Sequence, residues 1–254
     1  PAMLVAGVAA WRVWRAEGGA LPLAVAGHSL GEYSALVASG VLTLAQATPL
    51  VRLRAAAMQE AVPVGTGAMA AILGLDATKV IAGCAEVTGA MAQNGTEVVE
   101  AVNFNDPAQT VIAGTKAAVE KACEVLKAAG AKRALPLPVS APFHSSLMKP
   151  AAEKLRVALA ATALATPQIP VLNNIDVAVQ QDADAIRDAL YRQAFGPVRW
   201  VECVQALKGR GISHIIECGP GKVLAGLVKR IDAELVGAAL YDMNTLTATK
   251  ELLA

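Results

Sequence analysis

The pattern of apolar and polar positions divides the chain into short segments of helical and strand character. Residues 2–17 are apolar at most positions, carry Arg12 and Arg15, and stop at Gly18-Gly19, which reads as the buried face of one helix with a glycine end. Residues 21–26, Leu-Pro-Leu-Ala-Val-Ala, are a short apolar run of buried-strand length. Residues 30–39 follow as a second helix closed by Gly40, and Thr43 stands where it can cap a third running to about residue 62. Pro49 is expected to disturb the first turns of that helix, because it has no N–H to donate. Arg52 and Arg54 are two apart, so on a helix they point in different directions and one can face inward while the other is solvated.

The texture changes after a linker at 63–67, Pro-Val-Gly-Thr-Gly. Strand patterns at 68–74, 97–105, 109–113 and 132–139 are interleaved with helical ones at 77–87 and 115–129, with a turn at Asp106-Pro107. The order β-α-β-β-α-β is ferredoxin-like, so 64–140 is read as an inserted small subdomain with its own sheet. The main body, 1–63 with 141–254, resumes at a polar loop, Ser140-Ala141-Pro142-Phe143-His144-Ser145-Ser146. Helices are predicted at 149–161, 183–194, 198–208 and 222–231, and strands at 169–173, 213–218 and 235–240, with a break at Gly196-Pro197. Strands alternating with helices predict a parallel sheet covered on both faces, so the expected class is α/β.

Composition narrows the class. Of 254 residues 55% are hydrophobic, ample for a large core, while aromatics are only 4%, so small-residue helices packed closely on a sheet are expected. Basic and acidic residues number 22 and 21, with no long run of one sign, which gives no support to nucleic-acid binding. Cys84, Cys123, Cys203 and Cys218 are scattered, without a C-x-x-C pair or a neighbouring histidine pattern. Neither disulfides nor a metal site is expected, and reduced cytoplasmic thiols are. No segment reads as a signal peptide or membrane span, since the apolar run at 1–10 is too short and meets Arg12 and Arg15.

The candidate chemistry starts at Gly27-His28-Ser29-Leu30-Gly31, a Gly-x-Ser-x-Gly between a predicted strand and a predicted helix. A strand that turns into a helix with almost no loop crowds its apex, so side chains at Gly27 and Gly31 are both expected to collide there. Ser29 would stand at a helix N-terminus, where free N–H groups and the dipole favour a developing oxyanion. A glycine-rich surface turn with an idle serine is the plainer account; the flanking strand and helix favour a nucleophile. A serine hydroxyl needs a base, and there are three histidines. His28 adjoins Ser29 and points away from its hydroxyl, and His214 lies at the entrance to an apolar strand. His144 sits in a returning loop, where catalytic residues concentrate, and elimination makes it the candidate base. No acidic residue stands out as a third member, and a backbone carbonyl or an Asn could orient the ring instead. Gly219-Pro220-Gly221-Lys222 lacks the length and the trailing Gly-Lys-Ser/Thr of a phosphate loop and reads as a tight strand-to-helix turn.

Taken in order, Gly27-His28-Ser29-Leu30-Gly31-Glu32-Tyr33-Ser34-Ala35, Arg54, residues 103–114 (Asn-Phe-Asn-Asp-Pro-Ala-Gln-Thr-Val-Ile-Ala-Gly), His144 and Gly219-Pro220-Gly221-Lys222-Val223-Leu224 form a specific set. The chain resembles, over essentially its whole length, the malonyl-CoA:acyl carrier protein transacylases of dissociated fatty acid synthesis. The resemblance implies an α/β-hydrolase-like parallel-sheet core with a ferredoxin-like insert, and malonyl transfer from malonyl-CoA to the phosphopantetheine thiol of acyl carrier protein without a cofactor. It implies that Ser29 becomes malonylated and His144 is the base of a Ser-His dyad. Arg54 would clasp the malonyl carboxylate, the Gln193 backbone carbonyl would orient the histidine, the Leu30 N–H would supply half of the oxyanion hole, and Asn105 would contact substrate. An arginine suits the carboxylate because its planar fork makes two parallel hydrogen bonds. Lys149, Arg192, Arg199 and Lys222 are candidates for a basic rim facing an acidic carrier protein, although each also reads as a plain solvated charge. A monomer is expected.

Members of that family begin with a strand and a Gly-Gln-Gly-Ser-Gln loop whose first Gln gives the other oxyanion donor. Nothing before Pro1 corresponds, so an N-terminal part of the core is expected to precede it. Two rivals stand beside the transferase. An esterase or thioesterase would bond an acidic residue to His144 and turn Arg54 to solvent. A catalytically inactive remnant would keep only the carrier-protein surface.

Overall fold

The computed structural model describes residues 1–92, 95, 97–139 and 141–254; Ser140, the expected start of the returning loop, lies outside them. Helix α1 (Ala2–Ala16) ends in a Schellman turn, with Gly18 at φ 80° and the Gly18 and Gly19 N–H groups donating to the Arg15 and Trp14 carbonyls. Strand β1 (Val25–Ala26) is only the last third of the apolar run read as a strand. Leu21 and Leu23 are exposed and Pro22 has no N–H, so only Val25 and Ala26 join a ladder. Helix α2 (Gly31–Ala38) leads into α3 (Leu44–Glu60). Thr43 caps α3 as part of a box: its hydroxyl accepts from the Gln46 N–H, and the Gln46 side-chain oxygen accepts from the Thr43 N–H at 2.8 Å. Pro49 does not break α3, contrary to expectation. The missing N–H would have met only the Ala45 carbonyl, and the helix runs on through the proline; in the same turn the Thr48 hydroxyl bonds back to the Leu44 carbonyl at 2.7 Å. Arg52 is exposed and Arg54 buried, as their spacing allows.

Strand β2 (Gly67–Leu73), helix α4 (Ala77–Met91), strands β3 (Val99–Asp106) and β4 (Gln109–Thr115), helix α5 (Lys116–Ala128) and strand β5 (Arg133–Pro136) follow the predicted element order. Their sheet runs β3-β4-β2-β5 with every neighbour antiparallel. Val80, Cys84 and Val87 of α4 and Val119, Ala122 and Leu126 of α5 pack on Ala70, Ile72 and Ile112 to make its core. Helix α4 outruns its expected end at 87. The Thr88 hydroxyl donates to the Val99 carbonyl and accepts its N–H, which ties the last turn to β3.

The chain returns through a short 3-10 turn (Ser146–Met148) to α6 (Lys149–Ala160), β6 (Val171–Leu172), α7 (Ala183–Gln193), α8 (Trp200–Gly209), β7 (His214–Cys218), α9 (Val223–Ile231) and β8 (Val236–Leu240). The expected parallel pairing is present as two short pairs, β1 with β6 and β7 with β8. Helix α10 (Met243–Leu252) had no counterpart in the sequence reading. Its cap is an Asp242/Thr245 pair in which each side chain accepts the other's N–H. The protein is thus a mixed α/β structure with parallel and antiparallel sheets.

Two compact units emerge. The first contains Pro1–Arg52, Ala161–Ile186 and Glu202–Ala254, hence both parallel pairs; the second contains Leu53–Ala160 and Arg187–Val201, hence the antiparallel sheet and α6. Within the second, Val198 bonds to the edge of β3 through its N–H to Val102 and its carbonyl from Phe104.

Candidate active site

The serine elbow belongs to the first unit. Ser29 takes φ 52°, a left-handed conformation that a residue with a Cβ adopts only when its surroundings hold it there. Gly27 makes the turn sterically possible, since a Cβ there would lie 1.9 Å from the Gly31 carbonyl carbon. Gly31 is different: nothing beyond the helix's own backbone would meet a Cβ there within 4 Å. The expectation that both glycines are forced by collision is therefore corrected for Gly31, whose side-chain direction points into open space.

The helix start places its donors in sequence. The Gly31, Glu32 and Tyr33 N–H groups donate to the carbonyls of His28, Ser29 and Leu30, so the Leu30 N–H precedes the first bonded donor of the turn. The Ser29 N–H is engaged elsewhere, donating to Asn174 Oδ1 at 2.7 Å. The same amide donates from Nδ2 to the Gly27 carbonyl at 2.8 Å. Glu32, buried in the first turn of α2, accepts the Asn174 N–H at 2.9 Å.

Histidine, arginine and glutamine belong to the second unit, and one residue ties them together. His144 is 5% exposed and has φ 67°, like Ser29 in the left-handed region. Its Nδ1 lies 2.9 Å from the backbone carbonyl of Gln193. A carbonyl can only accept, so Nδ1 carries the proton and Nε2 is left with the lone pair a general base needs. The Gln193 side chain meanwhile takes a hydrogen bond from an Arg54 terminal nitrogen at 3.2 Å through Oε1. Gln193 is fully buried at the end of α7, and the Arg54 side chain is 6% exposed. Phe143 and Phe195, neighbours of His144 and Gln193 in the chain, pack on Ala57, Met58, Met148 and Ala151. That cluster fixes α3 beyond Arg54 and both flanks of the histidine loop. The loop is also held by Glu100 on β3, which accepts the Ser146 N–H at 2.6 Å.

The other named residues are placed as follows. Asn105 is buried at the bulged end of β3. His214 begins β7 and pairs through Nδ1 with the Ser213 hydroxyl at 2.9 Å. Arg192 bonds Asp188 at 2.7 Å, Lys149 stands 6.0 Å over the Phe195 ring, and Lys222 is exposed before α9. The four cysteines are free thiols. Burial, with the nearby charges of Cys123 and Glu100 adding, pushes the Cys84 thiol up to about 12, and burial with Glu217 pushes Cys218 up to about 11. Neither is a thiolate at neutral pH, so neither competes with a serine for the nucleophile's role. Sequence reasoning missed Asn174 and Glu32. Asn174 stands 145 residues from Ser29 in the chain, and no local pattern links them.

A Gly-x-Ser-x-Gly turn after a parallel strand, a histidine bonded to a main-chain carbonyl and a buried arginine lie on one chain, and comparison with known proteins says which class of enzyme carries them. Residues 1–236 match the family model for the acyl transferase domain, and the chain belongs to that family. Within it the chain is similar to malonyl CoA-acyl carrier protein transacylases: it is 54% identical over 252 residues to that of Escherichia coli (strain K12), covering 99% of this chain and 80% of that protein. Identity to the transacylase of Bacillus subtilis (strain 168) is 46% over 246 residues, covering 97% of this chain and 76% of that one. Among solved structures, the acyl-carrier-protein S-malonyltransferase of Burkholderia pseudomallei 1710b superimposes with a TM-score of 0.94 at 63% identity, over 98% of this chain and 79% of that one. A malonyl-transacylase in complex with its type II PKS acyl-carrier protein gives a TM-score of 0.94 at 53% identity, over 98% and 79%. The resemblance read from the motifs is borne out.

Proposed function

We propose that this chain transfers a malonyl group from malonyl-CoA to the phosphopantetheine thiol of acyl carrier protein, through a malonyl ester on Ser29. The observation that carries the reading is Gln193, which presents its carbonyl to His144 and its amide oxygen to the buried Arg54 guanidinium. A buried guanidinium is a planar, permanently charged fork, and the Gln193 amide helps to hold it in place. A planar carboxylate can take two parallel hydrogen bonds from it, which makes malonyl preferred over acetyl. An esterase would show an acidic partner on His144 and a solvated Arg54; a carbonyl partner and burial of Arg54 weigh against it.

In the first half-reaction the Ser29 hydroxyl loses its proton to His144 Nε2 as its oxygen attacks the malonyl thioester carbon. The Leu30 N–H donates to the developing oxyanion. Collapse expels the CoA thiolate, which takes the proton from His144. In the second half the carrier-protein thiol gives its proton to Nε2 and attacks the ester, and the Ser29 oxygen recovers that proton as it leaves. Asn105 is assigned a substrate contact. We further read the core, 1–63 with 141–254, as α/β-hydrolase-like, and 64–140 as the ferredoxin-like insert. No helix among the described residues is long and apolar enough to cross a membrane, and free thiols fit the cytoplasm. Lys149, Arg192, Arg199 and Lys222 are the proposed basic rim for an acidic carrier protein.

Intact-mass analysis after addition of malonyl-CoA tests the reading. A malonyl adduct that Ser29→Ala abolishes is expected. CoA release without adduct would mark a hydrolase, and neither signal would mark a protein that only binds its carrier.

A further inference from the structure

Three residues other than glycine have positive φ among the described residues: Ser29, His144 and Val177. The third has no place in the chemistry above. Val177 is β-branched, for which a φ of 56° is an outlier, and it lies in the loop that follows β6. That loop is drawn tight by the Asn173 N–H on the Ala178 carbonyl at 3.0 Å and by the Asp176 N–H on Asn173 Oδ1 at 2.7 Å. Leu172 bridges Val179 across it. The residue it presents is Asn174, fully buried, whose amide accepts a hydrogen bond from the Ser29 N–H and donates one to the Gly27 carbonyl.

We infer that Asn174 is a positioning residue for the reaction: its amide clamps the backbone on both sides of His28 and so holds Ser29 in the conformation that aims its hydroxyl. The inference rests on the reading of Ser29 as the nucleophile. A primary amide suits the task because it carries one acceptor and one donor at a fixed separation on a rigid plane. The clamp closes on itself. Glu32 accepts the Asn174 N–H, and the Glu32 N–H donates to the Ser29 carbonyl at 3.1 Å. Gly27, Ser29, Glu32 and Asn174 therefore form one circuit in which no backbone group of the apex can turn alone. A second consequence follows for the chemistry. With its N–H committed to Asn174, Ser29 offers no backbone donor to an oxyanion, and Leu30 is the elbow residue that does.

Removing the clamp should let the apex relax out of the left-handed region and misplace the hydroxyl, and a misplacement of this kind typically lowers turnover by ~10²-fold. Asn174→Ala should therefore lose about that much in kcat for malonyl transfer, with KM for malonyl-CoA little changed because no substrate contact is removed. Asn174→Asp keeps the acceptor for the Ser29 N–H and loses the donor to Gly27, so its kcat should fall between Ala and wild type. Inactivation by a fluorophosphonate, which reads Ser29 reactivity without malonyl recognition, should slow in the same order. Thermal unfolding and circular dichroism are measured on each variant. Should Asn174→Ala not fold, the Asp variant decides by the same readouts. Wild-type kcat and fluorophosphonate rates in the folded variants, or losses no larger than the unfolded fraction, would overturn the inference. A malonyl adduct surviving in Ser29→Ala would instead sink the nucleophile assignment, whatever Asn174 does.

Discussion

Arg54 and Gln193 allow the specificity argument to be tested apart from the base. Arg54→Ala removes one partner of a desolvated charge pair once malonyl is bound, which typically costs ~2–5 kcal/mol. At ~1.4 kcal/mol per decade, kcat/KM for malonyl-CoA should fall roughly 30-fold to several thousand-fold. Acetyl-CoA has no carboxylate to lose, so its transfer should hold or rise as the pocket becomes less polar. Gln193→Met is the finer probe. It leaves the backbone carbonyl that orients His144 and removes the Oε1 that accepts from the guanidinium at 3.2 Å. A hydrogen bond to a charged group contributes ~1.5–3 kcal/mol, and the incoming carboxylate restores part of the satisfaction. Malonyl transfer should then drop by about tenfold, the lower end of that range, while acetyl transfer is little altered. The assay is kcat/KM for both thioesters on wild type, Arg54→Ala and Gln193→Met, with exposed Arg52→Ala as control. Equal losses on both substrates in Arg54→Ala, or selectivity lost in Arg52→Ala, would refute the carboxylate clamp. Equal losses in Gln193→Met would show that its amide acts on the base and not on Arg54.

Four further outcomes are expected. His144→Ala should slow acylation of Ser29 by at least ~10²-fold in a stopped-flow burst, as for a lost general base; acylation at the wild-type rate would remove it from the dyad. Gly27→Ala should destabilise the fold by at least ~3 kcal/mol, the upper end of ordinary overpacking, because the collision is with backbone. Gly31→Ala, inside α2 and facing open space, should be neutral or stabilising by up to ~1 kcal/mol; urea denaturation of the pair checks both. Iodoacetamide at pH 8 should leave Cys84 and Cys218 unmodified in the folded protein, since burial raises both thiols far above that pH, and should label them after unfolding; peptide mass mapping reads the difference.

What could be read from the sequence was what neighbours along the chain decide. The β-α-β-β-α-β order was legible because each element carries its own period and its own stop, such as Gly130 after α5. Ser29 was legible because its motif, strand and helix are contiguous. His144 was proposed as the base by elimination among three histidines, and the roles proposed for Arg54 and Gln193 came from the family resemblance alone. What failed did so for want of a partner in view. Residues 21–24 are apolar enough for a strand but meet no ladder, and β1 pairs only where Pro170 offers its carbonyl to Val25. Helix α10 was passed over because its cap pairs Asp with Thr, where a Glu or Gln in the third position is the usual signal.

The deeper gap concerns the amides. Left-handed backbone at Ser29 and His144 costs of order 1–3 kcal/mol each and persists only where the surroundings over-determine it. The Ser29 N–H is bonded to the Asn174 amide from 145 residues away, and the His144 ring to the Gln193 main-chain carbonyl from 49 residues away. Neither Asn nor Gln stands out in composition, charge or periodicity, because what matters is a fixed donor and acceptor delivered by folding. A hydroxyl or imidazole announces its chemistry in the sequence, whereas the group that aims it becomes visible only when the chain has closed. The residues hardest to read are therefore those that aim a group without announcing it; of the two, Asn174 makes its contact through the side chain, so substitution there should alter function ahead of fold, whereas the Gln193 carbonyl is main chain and survives a change of side chain.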